Sequence, residues 1–307
     1  MKWKEKRFHS LDYYYKNLFG CKVQKISLDG GMTCPNRDGT LGYGGCIFCS
    51  QAGSGDFSTH QCENVTKQID TAIHNMSPKK VSDGKYIAYF QSYTNTYASF
   101  SYLKNLFTEA ISHPDIVGIS IGTRPDCLPN DVIDMLAGLN RIKPVWVELG
   151  LQTIHEETAS FIRRGYTLDV YDDALKRLTG AGLHVVTHVI IGLPYESREQ
   201  MLETVKYVGR SATEGIKLQL LHVIRGTDLE KYMGTFHILD EDEYIDIIIS
   251  ALELLPPEMV IHRLTGDGPA DLLIAPLWSL KKRNVLNHIN SALKNRDTWQ
   301  GRAFNQK

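Results

Sequence analysis

Six short apolar runs punctuate the chain, at residues 23–28, 86–91, 117–121, 145–150, 184–191 and 217–223. They are rich in Val, Ile, Leu and aromatic residues, and several are nearly continuous, as strands covered on both faces must be. Between them lie amphipathic segments with helical spacing, over 65–76, 100–112, 129–139, 170–179 and 199–210, and a further one over 240–255. Ser197 stands three residues before Gln200, and Thr167 or Asp169 opens the 170–179 segment, which Gly180 and Gly182 stop. Strand followed by helix, repeated in this way, predicts an α/β fold with a parallel sheet and helices outside it. The handedness of such crossovers curves the sheet into a partial (β/α)6 barrel, with loops gathered at the strands' C-terminal edge.

A chain of 307 residues has room for a substantial core. Its basic and acidic residues, 34 and 35, nearly cancel, so contact with nucleic acid must come from a local patch. The N-terminal stretch MKWKEKRFHSLDYYYKNLFG is charged and lacks an apolar segment, so no secretory signal is expected. No apolar run approaches the roughly 20 residues that span a bilayer, which predicts a cytoplasmic protein without a membrane partner. In that reducing setting the six cysteines point to metal or reactive thiols rather than disulfides. Pro256 and Pro257 mark the one clear break, giving an N-terminal helical extension over 1–20, a core domain over 21–255 and a small C-terminal extension over 256–307.

Three cysteines, Cys34, Cys46 and Cys49, fall in MTCPNRDGTLGYGGCIFCS, directly after the first predicted strand. Three neighbouring thiolates can hold three irons of a four-iron cluster and leave the fourth open to a small molecule. Gly39, Gly42, Gly44 and Gly45 let the loop wrap closely around an inorganic core, and Phe48 is placed to shield it. Two other readings stand beside this one. A Cys-x-x-Cys pair also occurs in zinc sites, for which His60 or Cys62 would be the fourth ligand, and the thiols could be unrelated. Polar residues recur at the strand ends: Gln91 to Thr96, then Thr123-Arg124-Pro125-Asp126, Glu148 with Gln152, Thr187 and His188, and Gln219 with His222 and Arg225. That edge is where ligands bind in parallel α/β folds. Taken singly, Arg124 reads as a turn residue paired with Asp126, Glu148 as a buried paired acid, and His188 and His222 as core histidines. Tyr13, Tyr14 and Tyr15 read as packing of an N-terminal helix.

Together these residues resemble a radical S-adenosylmethionine (SAM) enzyme. The run SLDGGMTCPNRDGTLGYGGCIFC is similar to the YhcC/YtqA family, itself related to the radical domain of the Elongator catalytic subunit. The likeness continues through YFQSYTNTY, GTRPD, ELGLQT, HVIIGLP, LLHVIRGT and HRLTGDGP. Two departures from the superfamily stand out: eleven residues rather than three separate Cys34 from Cys46, and QSYTNTY replaces the glycine-rich loop after the second strand. The resemblance implies a partial (β/α)6 radical-SAM barrel holding one [4Fe-4S] cluster on Cys34, Cys46 and Cys49. It implies reductive cleavage of SAM to a 5′-deoxyadenosyl radical that takes a hydrogen atom from substrate, with the cofactors carrying the hard chemistry. By position, Ser92 and Thr94 would meet the methionyl amine and Arg124 the carboxylate. Glu148 and Gln152 would bind the ribose, and Phe48 with the backbone of Ile191, Gly192 and Leu193 the adenine. A reducing electron donor such as flavodoxin or ferredoxin is the implied partner. Cys21, Cys62 and Cys127 form no second ligand set, so one cluster is expected.

The Elongator likeness also points to tRNA, at the wobble uridine. The expected reaction converts a carboxymethylaminomethyl group on C5 to an aminomethyl group. No acetyltransferase region follows the core, so acetyl transfer is not expected. Two basic groups suit RNA: Lys281, Lys282, Arg283, His288, Lys294 and Arg296 near the C-terminus, and Lys2, Lys4, Lys6 and Arg7 beside Trp3 and Phe8. The competing functions are a radical enzyme acting on a small metabolite or a protein, and a non-catalytic zinc-stabilised RNA-binding protein.

Overall fold

The computed structural model describes residues 3–53, 55–76 and 84–304. Its main sheet is parallel and seven-stranded, in the order β1 (Val23–Leu28), β2 (Lys85–Phe90), β3 (Ile116–Thr123), β4 (Val145–Gln152), β5 (His184–Ile191), β6 (Gly215–Leu220) and β8 (Val260–Arg263). Between the last two in sequence comes the short β7 (Val223–Ile224), which pairs antiparallel with β9 (Leu273–Ala275). The helices are α1 (Leu11–Phe19), α2 (Val65–His74), α3 (Phe100–Ser112), α4 (Asn130–Asn140), α5 (Glu156–Phe161), α6 (Leu168–Gly180), α7 (Arg198–Arg210), α8 (Glu241–Leu254) and α9 (Lys282–Asn295).

The expected partial barrel is therefore present, and β8, from within the 256–307 segment, adds a seventh strand beside β6. Its four residues directly follow the Pro256-Pro257 break and are too few to show a period of their own. β1 and β8 each have one strand neighbour in the sheet, so the barrel stays open between them. α1 packs against both of these edge strands. Ser197 and Gln200 form a reciprocal capping box at the start of α7, as their spacing predicts, and such caps stabilise by about 1 kcal/mol.

Strand alternation sorts the side chains into two layers. One row of apolar residues, among them Ile26, Ile119, Leu149, Val189 and Leu218, faces the helices and forms the main core. The other row faces the barrel's interior. There Tyr15 from α1 joins Val23, Ile87, Trp146 and Val186 in a plug near the strands' N-terminal ends, with Tyr15 edge-on to Trp146 at 5.5 Å. The packing reading of the tyrosine run thus holds for Tyr15. Above the plug, the interior positions turn polar.

The basic groups read from sequence are engaged in part. Lys282 pairs with Asp267, His288 with Glu241 and Arg296 with Asp246, which tempers the C-terminal helix as a phosphate-binding face. Trp3 and Phe8 are buried, so the N-terminal group offers no free rings for base stacking. Lys2 lies outside the described residues. No described helix is long and apolar enough to cross a membrane.

Candidate active site

The cysteine loop leaves β1 and folds over the strands' C-terminal edge. Its own backbone holds it: the Arg37 amide donates to the Cys34 carbonyl (2.8 Å), that of Gly45 to Asn36 (2.7 Å) and that of Cys49 to Cys46 (3.0 Å). Asn36 Nδ2 ties the loop to the Arg163 carbonyl (2.7 Å) and also reaches Cys46 Sγ (3.5 Å). Arg37 Nη2 donates to the carbonyls of Cys49 (3.1 Å) and Ser50 (2.6 Å). Gly45 sits at φ 72°, and a Cβ there would meet the Arg37 guanidinium at 2.9 Å, so this turn requires glycine.

Cys34, Cys46 and Cys49 all line one cavity. Burial, reinforced by Cys49 and Cys34 nearby, pushes the Cys46 thiol up to about 12. Such a thiol stays protonated until a metal displaces the proton. Among the described residues no three His, Cys, Asp or Glu side chains are grouped closely enough to hold a single metal ion. This counts against the mononuclear zinc reading, whose four ligands must all lie about 2.3 Å or less from one ion. A four-iron cluster makes the opposite demand, because its three thiolates bind different corners and stand further apart. Three thiols around a shared cavity, with no fourth cysteine among the lining residues, fit such a cluster.

The same cavity collects several residues expected at the cofactor: Phe48, Thr94, Arg124, Glu148 and Gln152 line it. Arg124 is buried, with Nε and Nη2 on the two Asp126 oxygens (2.9 and 2.8 Å) and its guanidinium 4.9 Å over the Tyr166 ring. Among the described residues Nη1 has no hydrogen-bond partner. Gln152 adopts φ 68° at the end of β4, where the strand breaks register.

Four expected residues lie outside the lining. The Ser92 hydroxyl is packed against Gly55, at 2.1 Å from where a Cβ would stand. Ile191 is fully buried in the helix-facing core, Gly192 faces Leu239, and Leu193 packs with Ile47 and Ile162. Their neighbours line the cavity instead: Gln91, Tyr93 and Ile190. Period-two alternation accounts for Ile191, since His188 and Ile190 share the inward face; Ser92, Gly192 and Leu193 lie past the ends of β2 and β5, where the alternation no longer holds. Arg37, Arg164, Tyr166 and Gln219 also reach the cavity. Of these, only Gln219 was marked in sequence by a strand end.

At the floor of the cavity, Glu148 lies at the centre of a buried polar layer contributed by six strands. Its Oε1 accepts from Lys25 Nζ (2.5 Å) and Ser120 Oγ (2.7 Å). Its Oε2 accepts from His188 Nε2 (2.8 Å) and from Lys217 Nζ, which also reaches the Tyr89 hydroxyl (3.0 Å). Burial alone would raise the Glu148 pKa, but Lys217, Lys25 and His188 outweigh it and hold the carboxyl well below its usual range. Because an ionised carboxylate only accepts, His188 must carry its hydrogen on Nε2. Burial drives His188 down to about 4 and Lys217 down to about 7, the latter opposed by Glu148.

The Radical SAM superfamily profile matches residues 34–208, more than half the chain, and the Radical_SAM C-terminal domain profile matches 213–295. The chain belongs to the radical SAM superfamily. It is 48% identical over 302 residues to YtqA of Bacillus subtilis, covering 98% of this chain and 94% of that protein. It is 36% identical over 263 residues to YhcC of Escherichia coli K12, covering 85% and 84%. Elongator complex protein 3 of Drosophila melanogaster shares 31% over 169 residues, 53% of this chain and 30% of that one. In structure, an archaeal Methanocaldococcus infernus Elp3 superposes with TM-score 0.68 at 19% identity, over 91% of this chain and 64% of its own, a likeness of fold. Members of this superfamily use a [4Fe-4S] cluster and SAM.

Proposed function

We propose that this radical SAM enzyme modifies tRNA, converting the C5 carboxymethylaminomethyl group of the wobble uridine to an aminomethyl group. The observation that carries the reading is a second cavity, of about 870 Å³, directly beside the cysteine-lined one. Phe48, Tyr89, Gln91, Ile190 and Gln219 line both. Its volume suits one nucleoside-sized ligand. Lys25, Lys217, Arg263 and Lys282 line it beside Asp56 and Asp267, a more charged wall than a neutral metabolite would need, and Arg263 is the cation with most donors to spare. The likeness to Elongator complex protein 3 supports a nucleoside in that place.

In this reading Cys34, Cys46 and Cys49 hold the cluster, and Phe48 separates it from the larger cavity. When bound, the cluster and SAM together supply an organic radical that removes a hydrogen atom from the substrate. The chain's own part is to bind, orient and keep water out. Arg124 offers Nη1 to the SAM carboxylate while Asp126 and Tyr166 fix its plane. Thr94 stands for the amine and Gln152 for the ribose. The electron comes from a flavodoxin or ferredoxin in a reducing cytoplasm.

Arg124→Ala should weaken SAM binding by about 10- to 100-fold, the worth of a hydrogen bond to a charged group, with iron content unchanged. Equilibrium dialysis against labelled SAM checks this, and undiminished affinity would remove Arg124 from the site. The proposed reaction is tested by mass spectrometry of tRNA nucleosides from a strain lacking the gene. Carboxymethylaminomethyluridine should accumulate, and the intact gene but not a Cys49→Ala copy should reverse it. An unchanged nucleoside profile would turn the search to metabolites or proteins.

A further inference from the structure

The 870 Å³ cavity has an end built from the C-terminal edge of β6, from β8 and from the loop that follows β8. The cations in this cavity differ in what they have left to give. Lys25 and Lys217 are spent on Glu148, and Lys282 is spent on both oxygens of Asp267 (2.6 and 2.7 Å). Arg263 is not: its ion pair among the described residues, to Asp267, is a long 3.4 Å. A guanidinium has five donors, so most of its capacity is open.

Two histidines stand with it in the lining. His222 Nε2 and His262 Nδ1 are both buried without a hydrogen-bond partner. Buried polar atoms are nearly always satisfied, so two such atoms in one cavity wall call for a ligand or ordered water. Burial pushes His222 down to about 4 and His262 well below its usual value, so both rings are neutral at pH 7. Neutral rings can each present one N–H, and the charge is left to Arg263. The glycines of HRLTGDGP explain how His222 is seated. A Cβ on Gly266 would stand 2.6 Å from His222 Cε1, and one on Gly268 3.0 Å from Nδ1, so side chains there would push the ring from its place.

We propose that Arg263 and His222 form a pocket for the carboxylate of the substrate, orienting it with the adjoining methylene toward the cysteine-lined cavity; His262, against Gly215 at the start of β6, lies deeper in the same cavity. A planar guanidinium takes a carboxylate through two parallel bonds, and the His222 imidazole flanks it. Each carboxylate already at this side is shared by two cations, Glu148 by Lys25 and Lys217 and Asp267 by Arg263 and Lys282, so one more anion is electrostatically welcome. The exposed Asp56 lines the cavity too, where Ser50 Oγ donates to it at 2.9 Å. A cavity of this volume admits one nucleoside, which makes the bound anion a substituent of the base rather than a run of backbone phosphates. The identity of the ligand rests on the proposed function; the presence of a carboxylate pocket does not.

The test uses the cluster-loaded protein and two anticodon stem-loop RNAs, one with carboxymethylaminomethyluridine and one with aminomethyluridine. Wild type should bind the carboxylate-bearing RNA at least about tenfold more tightly, as expected for charge-assisted hydrogen bonds. Arg263→Gln should bring the ratio to within about twofold without changing affinity for the aminomethyl RNA. Arg263→Lys, which keeps the charge but loses the fork, should fall between, and it serves if the glutamine variant fails to fold. A wild type without preference, or an Arg263→Gln protein with the wild-type ratio, would overturn the pocket. If neither RNA binds, the tRNA reading fails separately. The pocket is then decided by titrating wild type with N-methylglycine and with methylamine while following the imidazole resonances of His222 by NMR. Shifts with the carboxylate alone uphold it, and no carboxylate-specific shift rejects it.

Discussion

Cys49→Ala is expected to lower release of 5′-deoxyadenosine under reductant by at least about a hundredfold, to background. The reason is a shortage of ligands. Only Cys34, Cys46 and Cys49 among the cysteines line the cofactor cavity. The other three cannot substitute: Cys127 is buried beside Asp126, Cys62 Sγ points to the His60 carbonyl (3.7 Å), and Cys21 belongs to the plug at the opposite end of the strands. With two thiolates the cluster loses a corner, and iron content should fall with activity. The fold should survive, because Asn36, Arg37 and backbone hydrogen bonds hold the loop. Iron analysis, product chromatography and the melting temperature measured on one preparation check all three statements. Wild-type release from the folded variant would remove Cys49 from the ligand set.

The sheet was legible because its strands are continuous apolar runs. β5 and α3 fall where the pattern puts them, and β1 does so to the residue. β8 and α5 were missed because four and six residues show too little periodicity. Within the site, residues contributed by one compact segment were readable. The cysteine loop is such a segment, and Arg124 lies two positions from its partner Asp126. The Ile191 side chain faces the helices, as counting the alternation from the inward-facing His188 shows, whereas Ser92 lies past the end of β2, where no period places it. The Glu148 layer was out of reach for another reason. Its oddity, an acid in an apolar strand, was visible, but its partners at positions 25, 120, 188 and 217 come from four other strands, and only the curvature of the sheet brings them together.

Glu148→Gln should destabilise the protein by about 3–5 kcal/mol, the usual cost of stripping the counter-charge from a buried ion pair. Glutamine preserves the shape but leaves Lys25 and Lys217 facing each other across a neutral amide, with Lys217 only 4% exposed. It also offers an NH2 group where His188 and Lys217 both donate. The loss should depend on pH in a definite direction. In the wild type the Glu148 pKa is depressed, so its contribution is complete above the ordinary carboxylate range and is lost as pH falls through the folded value. Lys217 is also depressed, to about 7, so the unfolded chain holds that proton up to about pH 10.4 while the folded one releases it earlier. Stability from this group therefore rises between about pH 7 and pH 10. Removing Glu148 lowers the Lys217 pKa further, so the Glu148→Gln deficit should be greatest just above the ordinary carboxylate range, shrink as pH rises toward about 7, and level off beyond it, where Lys217 is neutral in both proteins. Urea unfolding at a series of pH values measures this, and a deficit under about 1 kcal/mol at pH 7 would contradict the ion-pair account. The same variant separates two roles for Glu148. All four acceptor positions of its carboxylate are occupied by Lys25, Ser120, His188 and Lys217, so a ribose hydroxyl could be bound only by displacing one of them. If folded Glu148→Gln binds SAM as wild type does, Glu148 acts by holding the barrel interior in shape, and the ribose is left to Gln152.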